Sequence, residues 1–476
     1  MRQKTELEIT LRAGARGEAR SAGAEGTEAR AATTEVESRA AGWPSMEAIV
    51  ERDNLRKALA QVKRNKGAAG VDGMSLGALA PYLKEHWPTI RAQLLDGTYK
   101  PQPVRRVEIP KASGGQRPLG IPTVLDRFIQ QAMLQVLQAD WDRTFSEHSY
   151  GFRPKRSAHQ AVTRAQEMIA ASHDVVVDID LEKFFDRVPH QRLLAKLRRT
   201  IRDERIVRMV RQMLRAGVVM PDGVVIATEE GTPQGGPLSP VLSNIVLDEL
   251  DHELERRGHR FVRYADDLSI YVKSERGGQR VFESVARFLE QRMKLVVNRQ
   301  KSAVSRPRGR HILGFSIRPN MRKKQVELDI SERTKTRLRE RIRELTPRNH
   351  GRSLREAIRS INVYLRGWAE YFGVAVWVVG AARYADGHIR RRLRAILLQH
   401  WNRTKTIRRK LTGLGAPIGL VERGVGASQG PWRQSNMKVI KMGLRNEYFE
   451  ERGLLSLEAL CAQRFKKGLP LPEPVP

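Results

Sequence analysis

The chain has 476 residues, and its 86 Lys and Arg against 53 Asp and Glu give a formal net charge of +33. An excess that large repels itself unless a polyanion neutralises it, which points to nucleic acid rather than to a membrane surface or a merely alkaline enzyme. A single cysteine, Cys461, excludes an internal disulfide framework and any zinc site built on cysteine pairs, and no apolar run approaches the ~20 residues of a membrane span.

Residues 1–45 are rich in Ala, Gly, Glu and Arg, with no aromatic residue before Trp43. Such a segment buries too little apolar surface to offset its ordering entropy, so a flexible extension without a hydrophobic signal core is expected, on a cytoplasmic protein. From Ser45, the residues Ile49, Leu55, Leu59 and Val62 make an approximate helical stripe, which the Gly-rich stretch Lys66–Gly73 closes. Between about 104 and 320, short β-branched runs alternate with helical stretches, the pattern of a mixed domain. Val175–Asp180 reads as a buried strand ending in acid. Phe261–Val272 reads as a hairpin with Ala265-Asp266-Asp267 near its turn, and Ile312–Ile317 as another short strand.

After Pro319 the chain turns helical and very basic. Ser331 is placed to cap a helix running towards Leu345; Leu354, Ile358, Ile361 and Leu365 share one helical face, and Ile389, Leu393 and Ile396 another. Arg359, Arg366, Arg390, Arg391, Arg392 and Arg394 decorate these helices, as expected of either a solvated face or a nucleic-acid clamp. Beyond about residue 410, Gly and Pro punctuation predicts a small, irregular final domain.

Two acidic clusters fall at predicted strand ends: Asp178/Asp180 and Asp266/Asp267. Phosphoryl transfer to a 3′-hydroxyl needs hard oxygen ligands for metals that activate the attacking oxygen and stabilise the leaving pyrophosphate. Carboxylates on two adjacent strands meet that need, although acids at strand ends also commonly cap turns.

Tyr264-Ala-Asp-Asp267 resembles the signature turn of reverse transcriptases. Gly231–Asn244 is similar to that family's template- and nucleotide-contacting loop and helix. Ser149–Pro154, Arg117–Pro122, Asp180–Asp186 and His311–Phe315 match further blocks in the same order. The resemblance extends over roughly residues 46–465. Asn65–Gly73, Thr232–Pro237 and Arg366–Phe372 bring it closest to the enzymes encoded by bacterial group II introns. Retron, diversity-generating and CRISPR-associated enzymes share the same central blocks.

The resemblance implies an α+β, right-hand polymerase. Fingers and palm, an antiparallel sheet with helices, would occupy 46–325. A helical thumb or maturase segment would follow at 326–405, and a basic DNA-binding domain at 406–476. The implied activity is RNA-directed DNA synthesis with two Mg2+ ions, Mn2+ being an expected substitute, together with splicing and mobility of the host intron. Its implied partners are intron RNA, an RNA template with a DNA primer, deoxynucleoside triphosphates and target DNA, so that the cytoplasmic protein would join the nucleoid when bound there. The alternatives are a silent splicing cofactor and a CRISPR-associated or domesticated enzyme. With no cysteine pairs after residue 410, no HNH nuclease is expected.

Residue by residue, the pattern implies Asp180 as first metal ligand, with Asp178 the competing assignment. Asp266 would be the second ligand and Asp267 a weaker one, with a backbone oxygen from Ile179 or Leu181. Lys111 and Arg117 would meet the triphosphate, Arg with a fork and Lys as a point charge. Gln234 and Gly235 would lie by the nucleotide, Lys301 would protonate the pyrophosphate, and Leu313, Gly314 and Phe315 would grip the primer. Phe185 would sit under the incoming sugar, where its ring collides with a 2′-hydroxyl and so favours deoxynucleotides. Arg383-Tyr-Ala-Asp386 superficially repeats the signature string but lacks a second Asp, and no chemistry is assigned to it.

Overall fold

The computed structural model describes residues 44–110, 115–308, 310–320, 325–347, 351, 353–426 and 430–466. Lys111 and nearly all of the expected N-terminal extension lie outside them. The chain divides into two compact units, Met1–Ala161 with Val176–Val304 and Val162–Val175 with Ser305–Pro476.

The stripe that starts at Ser45 is two helices. Ser45 caps only Met46–Ile49, and Glu51 then accepts from the Asp53 and Asn54 amides to start Arg52–Asn65. A side-chain acceptor at the head of each helix satisfies amides that have no helical partner, so a fresh cap permits a change of direction. Lys66, left-handed at φ 48°, ends the second helix ahead of the Gly-rich stretch.

The strands, in chain order, are β1 (Val104–Pro110), β2 (Gln116–Ile121), β3 (Val175–Ile179), β4 (Val218–Val219), β5 (Val225–Ile226), β6 (Arg260–Tyr264), β7 (Asp267–Val272), β8 (Ala303–Ser305), β9 (Phe315–Asn320) and β10 (Gln325–Ile330). One sheet runs β2-β1-β4-β5, with β1 antiparallel to β2 and parallel to β4. A second runs β6-β7-β3-β8. In β3, Val175, Val176, Val177 and Ile179 are buried while Asp178 is half-buried, so this strand enters the core on nearly every residue and surfaces only where it carries acid. The hairpin β6–β7 closes with Tyr264 opposite Asp267, leaving Ala265 and Asp266 as its two-residue turn. The helix Ser239–Arg256 buries Val241, Leu242, Ile245, Val246, Leu247, Leu250 and Leu254 in the same core.

In the second unit, β9 and β10 pair antiparallel, and the helices Glu332–Leu345, Leu354–Phe372 and Val378–Trp401 follow in the chain. Ser331 caps the first, as its position predicted, and Ser353 with Glu356 forms a capping box on the second. The expected strand from Ile312 starts only at Phe315. Leu313 (φ 51°) and Gly314 (φ 87°) form a turn across which Ile312 and Phe315 exchange backbone hydrogen bonds. The final region is also more regular than its Gly and Pro residues suggested. Short helices at Ile418–Gly424, Lys438–Gly443 and Asn446–Glu450 lead to a ten-residue one, Leu457–Lys466.

Two arginines expected on the surface are internal. Arg392 donates to the Thr346 hydroxyl and carbonyl, and Arg394 to the Leu444 carbonyl. Burial holds the Arg394 guanidinium down to about 10. Arg391 instead lies over the Trp432 ring, 3.9 Å from its centroid. Of the aromatics in this region, Trp368 is buried and Tyr371 donates to the Leu313 carbonyl at 3.1 Å, whereas Trp377 is 56% exposed.

Asp386, of the repeated string, is buried. It accepts from the Ser456 hydroxyl at 2.8 Å and from the amides of Leu457 and Glu458 at 2.8 and 3.1 Å, so it caps the last helix from outside. Cys461 on that helix is fully buried, and its thiol is pushed up to about 12, chiefly by burial. Asp386→Ala leaves three donors unsatisfied and should weaken docking of Leu457–Lys466 by about 1–3 kcal/mol. Hydrogen exchange would show this as faster amide exchange across 457–466; unchanged protection there would rule the cap out. Among the described residues no helix is long and apolar enough to cross a membrane.

Candidate active site

Strand order brings the two acidic clusters together. Because β7 lies between β6 and β3, the acids at the end of β3 and at the β6–β7 turn project from neighbouring strands. Asp180 follows β3 directly. Its amide donates to the Ser302 hydroxyl at 3.0 Å, and its carboxylate stands 3.9 Å from the Lys301 ammonium. The predicted neighbours Asp180 and Lys301 therefore meet, with Lys301 69% exposed. Asp178, one alternation back on the same face, accepts from the Ser269 hydroxyl at 2.7 Å. Ile179 and Leu181 have buried side chains, and Leu181 bridges to Val297, so only their backbone oxygens are available as ligands.

Crowded carboxylates hold their protons more tightly. Burial raises the proton affinity of Asp266, as does the charge of Asp180, while Arg117 and Arg263 oppose the shift. Asp267 is pushed up to about 6, first by the surrounding protein and then by Asp266, Asp180 and Asp178. Its side chain still reaches solvent. Among the described residues no three carboxylate, histidine or cysteine groups gather tightly enough to hold an ion as the side chains stand.

The raised affinity has a defined pH signature. A carboxyl that binds its proton more tightly when folded contributes stability below its unfolded value near 4, and that contribution is lost as pH rises through about 6. Asp267→Asn should therefore stabilise the metal-free protein at pH 8 by roughly 1 kcal/mol, a figure reduced for solvent screening, with little change at pH 4.5. Calorimetry in EDTA at both pH values checks this; an equal gain at both would point to a cause other than the cost of the Asp267 charge.

The 184–190 segment and the 231–235 loop meet β2, whose Arg117 acts on Asp266. Phe185, in a short 3-10 turn, accepts the Thr232 amide at 2.6 Å, and its ring packs edge-on against Phe184. The Gly231 amide donates to the Val188 carbonyl at 2.8 Å, and the His190 imidazole to the Gly231 carbonyl at 2.6 Å. Burial lowers the proton affinity of His190, so a neutral ring with its proton on Nε2 suits this bond. Gln234 accepts from Arg117 Nε at 2.7 Å and faces Asp186 at 3.5 Å. Gly235 takes φ 130°, and a Cβ there would come within 2.5 Å of the Gly120 carbonyl, so this loop closes on β2 only through glycine.

The predicted primer-contacting residues lie in the second unit. Phe315 is fully buried against Tyr371 and Phe372, which makes its side chain a packing element. Thr334 and the Ser331 amide donate to the Gly314 carbonyl at 2.8 and 3.0 Å, and Phe372 fills the space beside its Cα. Lys111 lies outside the described residues.

Reading the sequence did not single out Arg263. It is 1% exposed and forks onto Asp251, which is fully buried, while also reaching Asn244 and the Ala265 carbonyl. A charged residue inside the apolar run Phe261-Val-Arg-Tyr, matched by an acid on the apolar face of helix Ser239–Arg256, was the available signal.

Residues 109–317 match the family model described as reverse transcriptase (RNA-dependent DNA polymerase), and residues 335–413 match the group II intron, maturase-specific domain. Protein YkfC of Escherichia coli is 33% identical over 296 residues, covering 54% of this chain and 77% of that protein. The group II intron-encoded protein LtrA of Lactococcus lactis is 29% identical over 320 residues, 53% of each chain. This chain belongs to the group II intron reverse transcriptase and maturase family. The putative COX1/OXI3 intron 1 protein of Saccharomyces cerevisiae is 36% identical over 163 residues, but this family member spans only 19% of its length. A chain of a partial Cas6-RT-Cas1--Cas2 complex superposes on 52% of this one and 42% of its own length, at 22% identity and a TM-score of 0.34, too loosely for the sites to be compared. Within the reverse transcriptase match lie Asp180, Phe185, Gln234, Asp266, Asp267 and Lys301; the maturase match begins inside the helix Glu332–Leu345.

Proposed function

We propose that this chain copies RNA into DNA by nucleotidyl transfer at Asp180, Asp266 and Asp267, and that it assists splicing and mobility of its host intron RNA. The observation that carries the reading is the convergence of these acids from adjacent strands, close enough that Asp180 and Asp266 both raise the proton affinity of Asp267. Proteins do not ordinarily gather like charges without a counter-ion.

The donor set fits divalent cations: hard carboxylate oxygens, mutual repulsion that a cation would relieve, and backbone oxygens at Ile179 and Leu181. Asp180 and Asp266 would hold a pair of Mg2+ ions, with Asp267 assisting, and bound Mg2+ supplies Lewis acidity for the attacking 3′-oxygen and the departing pyrophosphate. Arg117 leaves Gln234 to meet the triphosphate, joined by Lys111, and Gln234 with Gly235 lines the nucleotide. The primer's 3′-hydroxyl would lose its proton to solvent as its oxygen bonds to the α-phosphorus and the bond from that phosphorus to the bridging oxygen breaks, and Lys301 would give a proton to the departing pyrophosphate. Leu313 and Gly314 offer backbone to the primer strand. The exposed Trp377 and the basic helices offer stacking and phosphate contacts to intron RNA.

The test is extension of a DNA primer on an RNA template with Mg2+ and deoxynucleotides. Incorporation by the pure protein supports the polymerase. If the protein binds intron RNA and promotes its splicing yet incorporates nothing, the chain is a splicing cofactor with a silent site.

A further inference from the structure

A guanidinium with almost no access to water is unfavourable unless every direction is answered. Arg263 meets that condition and reaches further than its ion pair. Its Nε donates to one Asp251 oxygen at 2.7 Å and Nη2 to the other at 2.5 Å, while Nη1 donates at 2.9 Å both to Asn244 Oδ1 and to the Ala265 carbonyl. Asn244 and Asp251 stand seven residues apart, two turns along one face of Ser239–Arg256. The last of these bonds extends past the end of β6 into the acidic turn.

That turn is strained. Ala265 adopts φ 58°, a left-handed conformation unfavourable for any residue with a Cβ, and it persists only where the surroundings impose it. Arg263 grips the Ala265 carbonyl from one side. On another, Gly151 lies so close that a Cβ would come within 2.2 Å of the Ala265 nitrogen. The same Asn244 that accepts from Arg263 donates to the Gly151 carbonyl at 2.9 Å. The Arg263 backbone bonds to His148 and Tyr150, and Arg153 ties the 142–149 segment down through Asp142 and the Ser149 carbonyl.

We propose that Arg263, braced by Asp251 and Asn244 and opposed by Gly151, is the positioning residue that fixes the Ala265–Asp267 turn in its reactive geometry. The inference rests on the polymerase reading. Lysine would keep the charge but lack the planar fork that reaches carboxylate, amide and carbonyl together.

The test separates positioning from plain core stability. Arg263→Met with Asp251→Leu removes both buried charges, an exchange that commonly preserves folding, yet leaves the Ala265 carbonyl without its donor. Gly151→Ala disturbs the same turn without touching the ion pair. Each is read by hydrogen exchange of the Tyr264–Leu268 segment, by thermal melting, and by kcat and KM for deoxynucleotide on an RNA-templated primer. Exchange at the turn is expected to rise about tenfold or more. Kcat should fall on the order of a hundredfold while KM and duplex affinity hold, as for a misplaced reacting group. Turn exchange at the wild-type rate in both variants would overturn the proposal, and so would a loosened turn with unchanged kcat. If the wild-type chain itself incorporates nothing while the turn loosens as expected, the polymerase reading fails and the structural part of the inference stands.

Discussion

Asp266→Asn is expected to lower nucleotide incorporation on the order of a thousandfold, with duplex and intron RNA binding nearly intact. Asparagine keeps the shape of the side chain but removes the anionic oxygens needed to hold a divalent cation. Loss through unfolding is not the expected route: burial and Asp180 already disfavour the charged form of Asp266, so a neutral amide suits the metal-free fold at least as well. Affinity for nucleic acid draws on a net charge of +33 spread over the chain, to which one turn contributes little. Primer extension and fluorescence anisotropy on the same preparation check both halves. A comparable fall in synthesis and in binding would contradict a role confined to metal ligation.

The second large effect concerns the sugar. Phe185→Val should narrow the preference for deoxynucleotides over ribonucleotides by about a hundredfold, measured as the ratio of kcat/KM values for matched single additions. Phe185 is buried, with its ring against Phe184 and its carbonyl on the Thr232 amide. A ring fixed in this way cannot move aside for a 2′-hydroxyl, which is what discrimination by exclusion requires. Valine is the better probe than alanine because complete truncation of a buried phenylalanine costs about 3–5 kcal/mol. An unchanged ratio with an unchanged melting temperature would remove Phe185 from the sugar site.

Where local chemistry decides the outcome, the sequence was readable. The β6–β7 hairpin was legible because apolar residues flank Ala265-Asp266 on both sides, as a strand–turn–strand requires, and Ser331 was legible as a cap because its hydroxyl bonds within three residues. Misreadings arose where distant residues decide. Ile312–Ile317 has strand composition, yet the Thr334 hydroxyl and the Ser331 amide fasten the Gly314 carbonyl in a turn. Arg392 and Arg394 resemble their exposed neighbours in sequence; only the Thr346 and Leu444 carbonyls, 46 and 50 residues away, draw them inside. The short final helices lack the length to show a period and form by packing on the rest of their unit. In the acidic site the carboxylates were visible in sequence. Their support was not, because Arg263, Asn244 and Gly151 meet through tertiary register.

Cys461 has a practical corollary. With its sulfur enclosed and its thiol far too weak an acid to ionise at neutral pH, the chain's sole cysteine should remain inert to maleimides in the folded protein. Single cysteines introduced on exposed positions could then carry fluorophores without a cysteine-free background, opening the path of primer and template to distance measurement during synthesis.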